Sequence, residues 1–144
     1  MYSQVAVTPG EPSGIGIDLC VLLSQQYFPA QYTKGIYAVV IADVKLLMQR
    51  AQELNLPLNI HTSIESFQTV AGIKSHILVH PVTIPYPVTT GVLNPGNAHY
   101  VIKTLDIAIF SSVPINILLF SILLINLKKY RDYFAYSCLI ISLI

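Results

Sequence analysis

The sequence predicts an α/β domain with a largely parallel sheet over its first hundred or so residues. Short apolar runs of strand length alternate there with stretches of helical periodicity, and Gly, Pro and Asn mark the joins. A third observation separates this part from the rest of the chain. Apolar residues make up 53% of the 144 and charged residues only 10%, whereas an ordinary soluble domain carries about a quarter charged. The excess is local, since Ile107 to Leu127 contains no charge at all. The length suits one domain with a proper core.

The first unit is strand, loop, helix. Val5, Ala6 and Val7 form an apolar run that ends at Thr8 and Pro9, as a buried strand entering a turn does. The turn covers Pro9 to Gly16. From Ile17 the pattern becomes helical, with Leu19, Val21, Leu22 and Leu23 apolar and Asp18 in the first turn, where the helix dipole favours a carboxylate.

A second unit comes next. Ile36 to Ile41 is a continuous apolar run, and Asp43 stands where an N-cap belongs. Val44, Leu47, Met48, Ala51 and Leu54 then repeat on one helical face, with Lys45, Gln49, Arg50 and Glu53 on the other. Asn55 and Pro57 close that helix. Leu56, Leu58 and Ile60 alternate with polar residues and predict a third strand, and Ile77 to Val79 predicts a short core strand before the prolines at 81, 85 and 87. Asn94 and Pro95 read as N-cap and N1 of a last helix, whose apolar positions are Ala98, Val101, Ile102, Leu105 and Ala108 or Ile109.

Composition excludes several functions. With a net charge of +1 and no face gathering Lys or Arg, the field needed to concentrate on nucleic acid is missing. Cys20 and Cys138 lie in apolar surroundings without CxxC or Cys/His spacing, so buried thiols are expected rather than a zinc site or disulfide framework. Met1 to Val7 has no basic region and no apolar run long enough for a signal peptide, which makes the cytoplasm the expected compartment.

The stretch Thr8-Pro9-Gly10-Glu11-Pro12-Ser13-Gly14-Ile15-Gly16-Ile17-Asp18 carries the most chemical content. Glycines let backbone approach a ligand, and the N–H groups of a helix start can meet anionic oxygens, so the loop reads as a pocket wall. It is neither GxGxxG with a downstream acidic ribose ligand nor a Gly-Lys-Ser/Thr phosphate loop. Asp18 and Glu11 place negative charge near the helix start, against a phosphate seated there. Spacing alone favours a plain tight turn.

The string TPGEPSGIGID resembles the start of the 4-hydroxythreonine-4-phosphate dehydrogenase family. Two further segments resemble that family in the right order: Ala42-Asp43 running into LLMQRAQELNLPL, and GVLNPGNAHYVIKTLD from Gly91 to Asp106. The resemblance implies part of an isocitrate/isopropylmalate dehydrogenase-like fold, incomplete here, in which two α/β subdomains flank a cleft and the protein is a homodimer. It implies cofactor proximity for Gly14, Ile15 and Gly16, and a cleft-lining place for Glu11 and Asn94, with loop hydrogen bonding an equal alternative for those two.

The reaction implied is NAD(P)-dependent oxidation of 4-phosphooxy-L-threonine, a phosphorylated small molecule, to 2-amino-3-oxo-4-phosphooxybutanoate. This product decarboxylates to 3-amino-2-oxopropyl phosphate, in the synthesis of pyridoxal 5'-phosphate. NAD or NADP takes the hydride and a divalent metal polarises the hydroxyl. The family's metal ligands are three histidines in downstream segments, and its substrate contacts include a His-Thr pair in a Gly-His-Thr-Glu stretch. None of these is in the sequence, so no catalytic and no metal-binding residue is assigned, and the chain is expected to be inactive.

The four histidines do not replace that set. Only His76 and His80 are near in sequence, and in a strand they stand about 13 Å apart, too far to share an ion. Strand-end and surface roles are expected for His61, His76, His80 and His99.

Two parts are thus expected: 1–108, the dehydrogenase-like portion, and 109–144, an unrelated apolar tail. The tail has the Ile, Leu, Ser, Phe and Tyr bias of an A+T-rich gene read in the wrong frame, which favours a frameshift or truncation product. The rival reading is a membrane anchor or a non-catalytic interaction protein reusing the first part. A helix from Ile107 to Leu127 spans about 32 Å, enough for a bilayer core. Lys128, Lys129 and Arg131 would then put the dehydrogenase-like part outside the cell, against its cofactor chemistry.

Overall fold

The computed structural model describes residues 3–112. Strands β1 (Ser3–Val7), β2 (Ile36–Ala42), β3 (Asn59–His61) and β4 (His76–Pro81) form one sheet in the order β1-β2-β4-β3, and all three pairings are parallel. Parallel neighbours need crossovers. These are α1 (Gly16–Gln25) with α2 (Tyr27–Tyr32), then α3 (Val44–Glu53), then α4 (Ile64–Gln68). A 3₁₀ turn at Pro95–Asn97 opens α5 (Ala98–Ser112). The predicted α/β class with a parallel sheet is the one observed.

The continuous apolar run of β2 is explained by cover on both faces of the sheet. Ala38, Val40 and Ala42 share the main core with Ile77 and Val79 of β4, Ile17, Cys20 and Val21 of α1, and Leu47 and Ala51 of α3. Ile41, on the opposite side of the pleat, belongs to a second cluster with Val82, Tyr100 and Ala108. There α5 packs against β1 and β2.

Asp43 joins these layers. Its Oδ1 accepts the Leu46 N–H at 2.9 Å and caps α3, while Oδ2 accepts the Ile84 N–H at 3.0 Å. Its own N–H donates to the Tyr100 hydroxyl at 3.1 Å. Burial pushes that hydroxyl above its usual range, so Tyr100 stays neutral. The helix cap predicted at Asp43 is therefore present, with two further bonds beyond it.

Several local expectations are corrected. In α1 the inward stripe is Ile17, Cys20, Val21 and Ser24, and Leu19 and Leu22 face water. In α3 the expected face holds at Val44, Leu47, Ala51 and Leu54, but Leu46 is buried beside it and Met48 is 38% exposed. In α5 the buried positions are Tyr100, Thr104 and Ala108, continuing from Asn97 in the preceding turn, and Ala98 and Ile102 are exposed. Polar groups can take these places because each has a partner: Thr104 Oγ1 donates to the Val101 carbonyl at 2.8 Å. Satisfied hydrogen bonds outweighed a count of apolar side chains.

The third strand starts later than Leu56 because the end of α3 uses that chain. Asn55 adopts φ 54, and the Asn55 and Leu56 N–H groups bond back to the carbonyls of Gln52 and Ala51 at 3.0 and 2.9 Å. This is a Schellman closure with Asn at the left-handed position. Helices α2 and α4 had no sequence signal, being too short for periodicity and, in α2, containing Pro29. The readings of the tail beyond residue 112, Cys138 included, lie outside the described residues. Among the described residues no helix is long and apolar enough to cross a membrane.

Helices α2 and α4 bring an aromatic cluster together. The Tyr32 ring meets Phe67 edge-on with centroids 4.9 Å apart, and Tyr37 meets Phe67 at 5.9 Å. Among the described residues the buried Tyr32 hydroxyl has no hydrogen-bond partner, and burial raises its pKa. Replacing Tyr32 with Phe is expected to leave stability unchanged or raise it by up to about 1 kcal/mol in urea unfolding. A clear loss would show that the hydroxyl has a partner. Asp43→Ala is expected to lower stability by about 1–3 kcal/mol in the same measurement, since it strips a cap and leaves the Ile84 N–H unmet.

Candidate functional site

The loop after β1 holds its shape by backbone contacts. Gly10 takes φ 78, in the left-handed region where glycine is favoured. The Gly14 N–H donates to the Glu11 carbonyl at 3.0 Å, and Ser13 Oγ donates to Glu11 Oε1 at 3.1 Å. Gly16 is the tightest point. A Cβ there would lie 1.9 Å from the Pro9 carbonyl oxygen, so Gly16 is required by the loop folding on itself. Gly14 and Ile15 sit at the exposed tip, with Ile15 72% accessible. Helix α1 starts at this tip without a side-chain cap.

Arg50 of α3 braces the helix behind the loop. Its Nε and Nη2 each donate to one Asp18 oxygen at 2.6 Å, a bidentate pair. Nη1 reaches Glu53 and also Thr90 Oγ1 at 2.7 Å. The hydrogen bond to Asp18 is the main reason the guanidinium holds its proton even more firmly than usual. Asp18 is therefore paired, which removes half of the electrostatic objection to an anion at this helix start. Glu11 has Ser13 rather than a cation as its partner.

A third segment closes the arrangement. The Gly91 N–H donates to the Ser13 carbonyl at 2.9 Å, from a tight turn bridged between Thr89 and Val92, with Gly91 at φ 76. Residues 13, 18, 50, 90 and 91 thus meet, although nothing in their spacing announced it. Asn94 behaves as a loop residue. Its Oδ1 accepts the Gly96 N–H at 3.0 Å and its Nδ2 donates to the Pro87 carbonyl at 3.3 Å. Asn97, at a position without a sequence signal of its own, is buried and holds Tyr86 by its main chain, accepting from the Tyr86 N–H at 3.2 Å and donating to its carbonyl at 3.3 Å.

The histidines stand at strand ends and on the surface as expected, with one contact that their spacing did not show. His80 is exposed beside a cavity of about 140 Å³ that Gln4, Ala6, Val39, Ile41 and Ser111 also line, and His99 is exposed. His61 and His76, however, are half-buried and meet, with Nε2 and Nδ1 2.9 Å apart. Sheet order brings together two residues that are 15 apart in sequence. Among the described residues no group of three His, Cys, Asp or Glu could hold a metal ion.

No family model matches the chain. It is 39% identical over 102 residues to the 4-hydroxythreonine-4-phosphate dehydrogenase of Sodalis glossinidius (strain morsitans), covering 71% of this chain and 29% of that protein. The corresponding protein of Serratia proteamaculans (strain 568) is 39% identical over 103 residues, with 72% and 29% covered. Over that stretch the chain is a relative of the 4-hydroxythreonine-4-phosphate dehydrogenases. It spans about three-tenths of the length of the curated relatives it matches.

Solved 4-hydroxythreonine-4-phosphate dehydrogenases share the fold. That of Burkholderia phymatum superposes with a TM-score of 0.57 at 19% identity, over 78% of this chain and 34% of that one. That of Klebsiella pneumoniae gives 0.52 at 20% identity, over 78% and 35%. The four-stranded sheet and its helices thus correspond to about a third of a dehydrogenase fold.

Gly16→Ala is expected to destabilise the chain by at least about 2 kcal/mol, because backbone has nowhere to move. Gly14→Ala, at an exposed position where the new Cβ would sit 3.3 Å from the Glu11 carbonyl oxygen, is expected to stay within about 1 kcal/mol of the parent. Thermal unfolding of the two variants compares them directly; equal losses would mean that the Pro9 contact does not set the loop.

Proposed function

We propose that residues 1–108 are the cofactor-side portion of an NAD(P)-dependent 4-hydroxythreonine-4-phosphate dehydrogenase, an oxidoreductase of pyridoxal 5'-phosphate synthesis whose substrate is 4-phosphooxy-L-threonine. The observation that carries this is the 39% identity to proteins of that name over 102 residues. The loop supports it. In open α/β sheets ligands gather beyond the carboxyl ends of the strands, and the exposed tip at Gly14 and Ile15 lies past the end of β1. Residues 109–144 form a separate part in this reading, although the boundary falls within α5, which runs on to Ser112.

The loop's residues divide the work. Exposed backbone at Gly14 and the uncapped start of α1 suit a close approach by NAD or NADP, whose nicotinamide would supply hydride acceptance. Gly16 gives no room to a ligand, since the Pro9 carbonyl already occupies the space of its missing Cβ. Its part is to hold the tip in place, as Asp18, Arg50 and Gly91 do. Glu11 orients Ser13 within the loop. The divalent metal implied by the resemblance finds no three-ligand set among the described residues, so none of them is assigned to it. A homodimer in the cytoplasm is the assembly and place that this reading carries with it.

Titrating NAD or NADP into the ¹⁵N-labelled 144-residue chain is expected to shift the amide resonances of Gly14 to Asp18. Absence of any shift there at millimolar cofactor would remove the loop from the cofactor site. With 4-phosphooxy-L-threonine and a divalent metal added, this chain alone is expected to form no NADH or NADPH. Measurable turnover would show that the chain supplies metal and substrate ligands of its own.

A further inference from the structure

We propose that His61 and His76 are a proton-sharing imidazole pair that fastens edge strand β3 to β4 and releases it when acid places a proton on both rings. The geometry is that of a bond made end to end. Nε2 of His61 and Nδ1 of His76 are 2.9 Å apart, the ring planes differ by 23°, and the centroids are 5.1 Å apart. The centroid separation is close to the N···N distance plus the two ring radii, so the facing nitrogens point at each other.

Such a bond needs one N–H and one lone pair. Two neutral imidazoles provide both, whichever ring is the donor. A first proton, taken at the outer nitrogen of the donor ring, leaves the lone pair intact and strengthens the donor. A second proton removes the lone pair and sets two cationic N–H groups against each other. The pair therefore tolerates one added positive charge and not two.

Among the described residues neither ring forms an ion pair. Phe67 of α4 packs edge-on to His61 with centroids 5.7 Å apart, and Tyr32 of α2 and Tyr37 of β2 pack on Phe67. Glu65 on α4 and Lys74 before β4 are exposed. Burial, and then the neighbouring His61, lower the pKa of His76 from its ordinary 6.5. Between that lowered value and 6.5 the folded state binds fewer protons than the unfolded chain. The fastening is then complete above pH 6.5 and is lost as pH falls.

Strand β3 gains from this bond because its other holds are few: Ile60 packs on the main core, and the Asn59 N–H donates to the Ser75 carbonyl at 2.7 Å. It is three residues long, and among the described residues it pairs only with β4, through Asn59 to His61. Loss of the side-chain bond therefore weakens an edge while the β1-β2-β4 core stays intact.

Hydrogen exchange of the 144-residue chain, read as protection factors for residues 59–61 and for β2 between pH 8 and pH 5, tests this. Protection of β3 is expected to fall by up to about tenfold for each pH unit from 6.5 down to the lowered His76 value and to level off below it, with β2 little changed. His76→Gln is expected to show low, pH-independent protection in β3. Unchanged β3 protection at pH 5 in the parent chain would overturn the proposal, as would parental pH dependence in the variant. Imidazole ¹⁵N shifts of the parent provide a check that does not rely on the variant folding: both rings titrating independently with ordinary values would also overturn it.

Discussion

A single buried carboxylate organises this fold. Asp43 lies where β2 ends, and its hydrogen bonds reach three different neighbours: the start of α3, the chain leaving β4, and Tyr100 of α5. A carboxylate can remain there only because N–H groups and the positive end of α3 replace its water. Both faces of the sheet are referred to this one point. α3 belongs to the main core and α5 to the second cluster, and Asp43 fixes where each begins or crosses relative to β2.

The glycine loop is positioned by a second, more exposed arrangement that depends on the first. Arg50 can reach Asp18 and Thr90 only because the cap at Asp43 sets where α3 starts. The chain from residue 82 to 91 is held at one end by Asp43 and at the other by the Gly91 bond to Ser13. Three distant parts of the sequence therefore converge on the base of the loop, leaving its tip exposed. Rigid support beneath exposed backbone is what a binding loop requires.

The strands and the longer helices were legible because their signals are local. The apolar run 36–41, the Asp43 cap and the Asn94-Pro95 helix start each need only a few neighbouring residues. The glycine loop was legible as a loop for the same reason. Which face of α5 turns inward was not, because the answer depends on bonds that bury Tyr100 and Thr104 and involve residues as far away as Asp43. The same applies to Arg50, which reads as a solvent-facing charge in its helix and becomes a brace only when α1 packs beside it. His61 and His76 meet through strand order β2-β4-β3, in which the later strand inserts between the earlier two. Nothing in residue spacing encodes that insertion.

The contact between Gly16 and Pro9 separates the loop's shape from its surface. Because main chain rests on main chain there, the frame does not depend on the side chain carried at the exposed tip position 15, as long as Gly16 remains. Such a loop can be resurfaced for a different ligand without being rebuilt, and it meets any ligand with its conformational entropy already spent.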